Sequence, residues 1–236
     1  MAVGNYEKCK RYIDSHSPGT ETHVKRKRVY PCISISRETG AGAQPVCKEL
    51  IKILDSKSEQ NENQWTYFDR QLIEKILEDH HLPKQISKYL IEDKYNHVSS
   101  VVNEVLGLHP SQWTLLHQTT ETVLQLARMG KVVIVGRGGN IITSKLKNAF
   151  HVRLIAPLKN RIKYIMDVNK MNRQDAEVNI KKEDVARRKF LKSNFSRDSE
   201  NPELYHIVLN TNLLTYEESA AVVADAVMKK FAKLFP

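Results

Sequence analysis

Residues 29–54 read VYPCISISRETGAGAQPVCKELIKIL and combine three patterns within one short stretch. The run 29–36 is apolar and rich in β-branched side chains, which is typical of a buried strand, and Pro31 lies near its start, where a missing N–H does least harm. A glycine turn covers 37–44, and apolar residues at helical spacing follow after Pro45. Because proline suits a first helical position, the stretch predicts a strand, a turn and a helix that begins at Pro45.

A glycine turn between a buried strand and a helix is a candidate phosphate site, because it exposes backbone N–H groups at the positive end of the helix. Gly40 and Gly42 fit that role, and a larger side chain at Gly42 is expected to fill the space that donor phosphates need. The same turn is also compatible with a plain strand-to-helix connection. The glycines alone therefore leave both interpretations open.

The full phosphate-loop pattern, G-x-x-x-x-G-K-[ST], is absent from this turn. If Gly42 is its second glycine, Arg37 stands where the first glycine would be. Ala43 and Gln44 then replace the lysine and the hydroxyl residue. The loop supplies neither an ammonium group for the transferring phosphate nor a hydroxyl ligand for magnesium. The polar side chains that remain nearby to compensate are Ser36, Arg37 and Thr39.

The rest of the chain alternates between strand and helix patterns. Apolar runs predict strands at 65–68, 131–136, 149–155 and 205–210. Apolar residues at steps of three and four predict helices at 71–79, 157–169, 173–191 and 217–231, and a helical insertion at 84–130. Strands that alternate with helices favour a mainly parallel sheet covered on both faces. We expect one domain at 29–236, preceded by a basic extension at 1–28 that lies outside the core.

The composition of the chain excludes several classes of protein. It has 236 residues, of which 41% are apolar, and this suits a globular domain rather than a disordered tail. It has no apolar run of about 18 residues and no apolar leader at its start, so we expect a soluble, cytoplasmic protein with no membrane partner. Its 3 cysteines are widely spaced, which favours reduced thiols over disulfides or a zinc site.

The net charge of +10 favours anionic partners, which include phosphates, nucleic acid and acidic protein surfaces. The densest basic block, KRKR at 25–28, is interpreted as a solvated linker, with contact to RNA or to an anionic membrane as the alternative. Because no aromatic interleaving or nucleic-acid motif accompanies the block, we do not expect a nucleic-acid partner. The sequence does not indicate an oligomeric state.

Two further segments place arginines where phosphates could bind. Arg137 follows a predicted buried strand, at the edge where parallel sheets usually hold ligands, and its guanidinium could bind an acceptor phosphate; alternatively, it pairs with a carboxylate in a turn. In the second segment, Asp184, Arg187 and Arg188 fall within one or two helical turns. Such a helix can supply cations for phosphoryl transfer, although a solvated charged face would have the same pattern.

Taken in order, these segments resemble the cytidylate kinase-like family, a branch of the nucleoside-monophosphate kinases. The resemblance extends over residues 29–231. The segments that carry it are ISISR at 33–37, GAG at 40–42, YFD at 67–69, GRG at 136–138, APL at 156–158 with Arg161, DVARR at 184–188, LYH at 204–206 and LNT at 209–211.

This resemblance implies an α/β fold of the three-layer phosphate-loop kinase type, with a helical insertion that binds the acceptor and an arginine-rich lid at 172–200. It implies ATP as donor, with Mg²⁺ carried by the nucleotide and no metal-ligating residues of the protein's own. The residues implied to bind the donor are Ser36, Arg37, Thr39, Gly40, Ala41, Gly42, Ala43 and Gln44. Those implied to bind the acceptor are Asp69, Arg137 and Arg161, and those implied to be catalytic are Asp184, Arg187 and Arg188.

The activity implied by the resemblance is ATP-dependent phosphoryl transfer to a nucleoside monophosphate, CMP-like. The alternative is a catalytically weak or silent nucleotide-binding or regulatory protein that keeps the fold. Members of the family usually carry a glycine and an arginine after the last loop glycine, whereas Ala43 and Gln44 provide no cation here. Those two residues and Pro45 favour the alternative, and the converging arginines favour the kinase.

Overall fold

A computed structural model of the chain describes residues 7, 9–13, 29–58, 64–73, 113–136 and 138–235. Several sequence-based predictions lie outside these residues. They are the basic block at 25–28, the helix at 71–79 beyond residue 73, the insertion from 84 to 112, and the position of Arg137.

The described chain is built around one parallel sheet. Its strands are β1 (Cys32–Arg37), β2 (Thr66–Phe68), β3 (Val132–Val135), β4 (Ala149–Ile155) and β5 (Ile207–Asn210). The strand order is β2-β3-β1-β4-β5, and every neighbouring pair is parallel. The mainly parallel sheet is therefore confirmed, and β1, which precedes the glycine turn, is its central strand.

Helices connect and cover the strands. They are α1 (Ala43–Ser56), α2 (Trp113–Met129), α3 (Gly139–Ile142), α4 (Leu158–Asn169), α5 (Arg173–Phe195) and α6 (Tyr216–Lys230), with 3-10 turns at Pro202–Leu204 and Ala232–Leu234. The predicted helices at 157–169, 173–191 and 217–231 match α4, α5 and α6 closely, whereas the short α3 was not predicted. In the part of the chain that the structure describes, no helix is long and apolar enough to cross a membrane.

The two faces of the sheet carry separate apolar clusters, which gives the three layers. One face packs Ile33, Ile35 and Phe150 against α1 and α6. The other packs Cys32 and Ile134 against α2, α3 and the end of α5. Because side chains alternate along a strand, Ser34 and Ser36 of β1 share the second face, as do His151 and Arg153 of β4. The polar residues of the two strands are thus collected under α5.

Residues 9–13 are helical and belong to the core. Cys9, Tyr12 and Ile13 are buried in the cluster that also holds Phe68. The Tyr12 hydroxyl donates to the carbonyl oxygen of Gly130. The expectation that residues 1–28 lie outside the core is therefore wrong for this segment. Its apolar residues recur at helical steps of three and four, which is the pattern of a helix that buries one face.

Candidate active site

The glycine turn lies at the carboxyl end of β1 and leads directly into α1. Gly40 and Gly42 adopt left-handed backbone conformations, with φ of 83° and 74°. The helix begins at Ala43, not at Pro45, and Pro45 is tolerated because N–H groups of the first turn have no partner within the helix. No side chain caps the start of α1, and its first turn contains no acidic residue. The positive end of the helix is therefore available to an anion.

Close packing holds the turn on the side of α4 and α6. A Cβ atom placed on Gly40 would lie 2.7 Å from the carbonyl oxygen of Arg161. A Cβ atom on Gly42 would lie 2.1 Å from Cε1 of Tyr216. A larger side chain at Gly42 would thus meet the Tyr216 ring first, and the expectation that it would fill the space for donor phosphates stays a prediction. These glycines are needed for the backbone conformation and for close packing.

An ion-pair network, which we call the latch, joins the turn to α5. It consists of Glu38, Thr39, Arg161 and Asp184. Asp184 Oδ1 accepts hydrogen bonds from the backbone N–H of Thr39 at 2.8 Å and from its hydroxyl at 2.6 Å. Asp184 Oδ2 accepts from Nη1 of Arg161 at 2.7 Å. A carboxylate of α5 therefore occupies a backbone donor of the turn.

Arg161 uses its other donors within the latch as well. Its Nε donates to the carbonyl oxygen of Ala156 at 2.9 Å and lies 3.5 Å from Oε2 of Glu38. Its Nη1 also donates to the carbonyl oxygen of Thr39 at 3.2 Å. Burial favours a raised pKa for Asp184, but hydrogen bonds from Thr39 and Arg161 outweigh it and hold the pKa below its usual value. The latch is a paired and satisfied structure.

Next to the latch, α5 crosses the carboxyl edge of the sheet and encloses a cavity of about 260 Å³, whose lining includes Glu38 and Asp184. The end of β1, the turn before α3 and the middle of β4 form its floor. Arginines from distant parts of the chain line it, and they are Arg37, Arg70, Arg153, Arg187 and Arg188. We call this space the acceptor cavity.

Arg187 and Arg188 of α5 line this cavity while paired with carboxylates. Arg187 donates to the Thr39 hydroxyl and to Glu183 Oε2, the latter at 3.3 Å. Arg188 pairs with Glu200 at 3.2 Å. Burial lowers the pKa of Arg187, and the charges of Glu183 and Asp184 oppose that shift. The predicted catalytic residues therefore come together at the border of the latch and the cavity.

Arg37 is a cation inside the loop itself. Its Nη1 lies 2.0 Å from the position that a Cβ atom on Gly136 would take, so that glycine, at φ 83°, makes room for the guanidinium. Burial and the like charge of Arg187 lower the pKa of Arg37 to about 10. No described carboxylate forms an ion pair with Arg37. Arg37 is thus a cation at the loop, which lacks the usual lysine.

The remaining predicted site residues lie in different parts of the fold. Arg161 belongs to the latch and does not line the acceptor cavity. Asp69 follows β2, and its carboxylate accepts from the backbone N–H of Leu72 at 3.0 Å. The Ala41 carbonyl oxygen accepts from the Thr211 hydroxyl at 3.1 Å. Ala43 and Gln44 open α1.

Arg153 and Asn140 are among the cavity residues that were missed from the sequence. Arg153 lies in the buried strand FHVRLI at 150–155, and Asn140 lies in α3. A charged residue inside an otherwise apolar strand was a usable signal for Arg153. Asn140 gave no such signal, because its burial depends on how α3 packs on the sheet.

A second cavity, of about 590 Å³, lies across the turn from the first. Its walls include Gly40 of the turn, Lys163 and Tyr164 of α4, and the connection 211–215 between β5 and α6. The two cavities meet the glycine turn from opposite sides. Within the described residues, no group of three or more His, Cys, Asp or Glu side chains is placed to hold a metal ion.

The fold and the site together define a class of protein. A parallel sheet with a glycine turn after its central strand, an uncapped helix after that turn and an arginine-bearing helix across it make up the phosphate-loop kinase fold. Within that class, the chain belongs to the cytidylate kinase-like family, whose model matches residues 32–213.

Two solved structures resemble the chain at low sequence identity. A solved structure of an uncharacterised protein from Eubacterium ventriosum has a TM-score of 0.66 at 16% identity, over 84% of this chain and 98% of that one. Shikimate kinase from Acinetobacter baumannii in complex with shikimate has a TM-score of 0.44 at 16% identity, over 86% of this chain and 95% of that one.

A curated relative, uronate isomerase from Corynebacterium glutamicum, is 25% identical over 122 residues. The matched region is 52% of this chain and only 23% of the length of that relative. The likeness to the Eubacterium ventriosum structure shows the fold alone, and the likeness to uronate isomerase is limited to one shared segment.

Proposed function

We propose that the protein transfers the terminal phosphoryl group of ATP to a nucleoside monophosphate, CMP-like. The observation that carries the proposal is the convergence of Arg37 and Arg187 on the acceptor cavity, from the loop and from the lid. Burial and mutual repulsion disfavour two such cations side by side, as the lowered pKa of Arg37 reflects. Phosphoryl transfer spreads negative charge over the equatorial oxygens, and cations on both sides stabilise that charge.

The donor nucleotide fits on the other side of the turn. Its phosphates would lie at the uncapped start of α1, where backbone N–H groups face outward. Its base would occupy the 590 Å³ cavity beside Tyr164 and the 211–215 connection. In this arrangement the terminal phosphate of the donor would lie near Arg37 and Arg187. The acceptor would approach it from the acceptor cavity.

Magnesium would be bound chiefly by the phosphates, because the loop has Gln44 in place of a hydroxyl ligand. Asp69 lies near enough to Arg37 to affect its pKa, and its carboxylate would hold a magnesium-bound water. The ion supplies charge neutralisation for the transferring group. Asp69, Arg37 and Arg187 position and stabilise the phosphates around it.

The acceptor needs no general base in this scheme. The second pKa of a phosphate monoester is about 6, so a nucleoside monophosphate already presents an anionic oxygen at neutral pH. That oxygen forms the new bond to the terminal phosphorus of ATP, while the bond to the bridging oxygen breaks and ADP leaves. The charged environment of the cavity, rather than proton transfer, does the chemical work.

A nucleotide-binding protein without turnover is the second candidate, and the latch favours it. Asp184 occupies the backbone donor of Thr39, so a phosphate that needs this donor must displace the lid carboxylate. Ala43 and Gln44 add no cation of their own. The two functions differ in whether Arg187 reaches a transferring phosphate once the nucleotide is bound.

The test is ADP release from ATP and Mg²⁺ with CMP, dCMP, UMP and AMP as acceptors. We expect turnover on at least one of them, and we expect Arg187→Ala to lower it by about 10² to 10³ while calorimetry shows ATP still bound. The matched control is Lys192→Ala, an exposed cation on the same helix. Tight binding of ATP with no turnover on any acceptor would support the silent protein instead.

A further inference from the structure

Arg153 is a buried cation without a counter-charge among the described residues. Its side chain is 8% exposed and projects from β4 into the acceptor cavity. Its single hydrogen bond within the described chain runs from Nη1 to Ser36 Oγ and is long, at 3.4 Å. No described carboxylate forms an ion pair with it. A guanidinium carries several N–H donors, so most of them face the cavity without a partner.

Its neighbours hold Arg153 in place. The guanidinium carbon lies 5.8 Å from the centre of the Tyr205 ring. The Tyr205 hydroxyl donates to the carbonyl oxygen of Ser199 at 2.9 Å and lies 3.2 Å from Ser36 Oγ. Ser36 can therefore donate to Tyr205 while it accepts from Arg153. This chain of hydroxyls orients the guanidinium but does not neutralise it.

Asn140 adds a second unsatisfied donor to the same cavity. Its side chain is 5% exposed, and its Nδ2 has no hydrogen-bond partner within the described residues. Buried amide groups are almost always hydrogen-bonded in folded proteins. Next to it, Gly139 packs closely on Ser34 and Ile134, which holds α3 against the sheet. An amide held in that position without a partner indicates that a ligand supplies the acceptor atom.

Four carboxylates also line the cavity, but their ion pairs are made with Arg161, Arg187 and Arg188, which leaves Arg153 to an anionic ligand. Burial and the adjacent His206 lower the pKa of His151 to about 4, so this neighbour of Ser34 is neutral at pH 7 and provides no charge. Phe190 and Leu191 of α5 line the cavity and limit the access of water. A buried charge without a partner is strongly unfavourable, and it is stabilised by an anion that it can hydrogen-bond.

We propose that Arg153 and Asn140 bind the phosphate of the acceptor, which makes the substrate class a phosphate monoester and excludes acceptors that present only a neutral hydroxyl. The proposal rests on the proposed function in one respect, that the acceptor uses this cavity. A phosphate has enough oxygen atoms to accept from Arg153 and Asn140 and still present one oxygen to the donor. Arg153 is thus a substrate-binding residue on β4, which lies on the opposite side of β1 from β3.

The experiment is calorimetric titration of the full chain with CMP, UMP, AMP and GMP, with the matching nucleosides and with ATP. The wild type is expected to bind at least one monophosphate about 10²-fold more tightly than its nucleoside. Arg153→Gln is expected to lose that preference and to keep its affinity for ATP. Arg153→Lys keeps the charge and should keep part of the preference for the monophosphate. Asn140→Leu should lower that preference by about 10-fold.

The control variant is Lys147→Gln, an exposed cation just before β4, which should bind like the wild type. Thermal melting of each variant shows whether it is folded. If Arg153→Gln does not fold, Arg153→Lys takes its place in the comparison. Monophosphate binding that depends on Arg153, without ADP release, supports this inference and contradicts the proposed kinase. Turnover with an unchanged preference for monophosphate over nucleoside in Arg153→Gln contradicts this inference and leaves the kinase standing. Equal binding of monophosphates and nucleosides by the wild type also overturns it.

Discussion

Arg161 of the latch and Arg153 of the acceptor cavity are almost equally buried, at 9% and 8% exposed. Arg161 donates to Asp184 at 2.7 Å and to two backbone carbonyl oxygens, whereas Arg153 has one hydrogen bond of 3.4 Å within the described chain. The difference separates two uses of a buried cation. Where the protein supplies the anion, the arginine stabilises the fold; where it does not, the site is built for an anionic ligand.

The largest effect is expected on the latch side, from Arg161→Met. This change leaves Asp184 and Glu38 as carboxylates without their cation, and breaking a buried pair in this way usually costs about 3–5 kcal/mol. Urea unfolding at pH 7 measures it. The control is Lys52→Met, which removes an ion pair of the same 2.7 Å length whose lysine is 70% exposed, and we expect a change below about 0.5 kcal/mol. Equal losses in the two variants would mean that the latch does not hold the lid.

The next effect concerns the cavity side and is catalytic. Arg37→Met removes a buried cation that has no ion pair with the described residues, so the free energy of unfolding should stay within about 1 kcal/mol of the wild type. Turnover should fall by about 10² to 10³, because the cation at the loop no longer meets the transferring phosphate. Unfolding in urea and ADP release measure the two quantities on the same preparation. A stability loss as large as that of Arg161→Met would place Arg37 with the structural arginines and remove the contrast.

Sequence patterns predicted the layers of the molecule well because those patterns are local. The alternation in β1 and β4 and the helical spacing in α4, α5 and α6 depend on neighbouring residues. The glycine turn was recognised for the same reason. Its surroundings were not, because the contact between Gly42 and Tyr216 joins residues far apart in the chain. The burial of the helical residues 9–13 was missed because the polar segment after them suggested an extension.

The roles of the arginines were harder to predict from the sequence than their positions. Arg187 and Arg188 were expected in the lid and are found at the cavity. Arg161 was expected to face the acceptor, but its donors are directed to Asp184, Glu38 and backbone carbonyl oxygens. Pairing depends on which carboxylates the fold brings within reach. A single sequence gives the charges but not their partners, so it cannot separate a structural arginine from one that awaits a ligand.

The smallest effect is expected from Asp184→Asn, and it depends on pH. The pKa of Asp184 in the folded protein lies below its ordinary value, because hydrogen bonds from Thr39 and Arg161 outweigh the effect of burial. A carboxyl group with a lowered pKa stabilises the fold fully above its unfolded pKa of about 4, and the stabilisation is lost as the pH falls from there through the folded pKa. At pH 7 the variant should lose about 1–2 kcal/mol, since an amide still accepts from Thr39 but no longer pairs with the charge of Arg161.

Urea unfolding of wild type and Asp184→Asn from pH 7 down to about pH 3 tests this expectation. The two stabilities should run parallel at neutral pH and converge below about pH 4, because protonation of Asp184 makes the wild type resemble the variant. Glu177→Gln, which removes the surface ion pair with Lys181 on the same helix, should stay within about 0.5 kcal/mol of the wild type throughout. If the difference in free energy of unfolding between wild type and Asp184→Asn stays constant down to acid pH, Asp184 acts through its shape and not its charge. The latch would then be a packing contact, and its contrast with the unpaired Arg153 would lose its electrostatic basis.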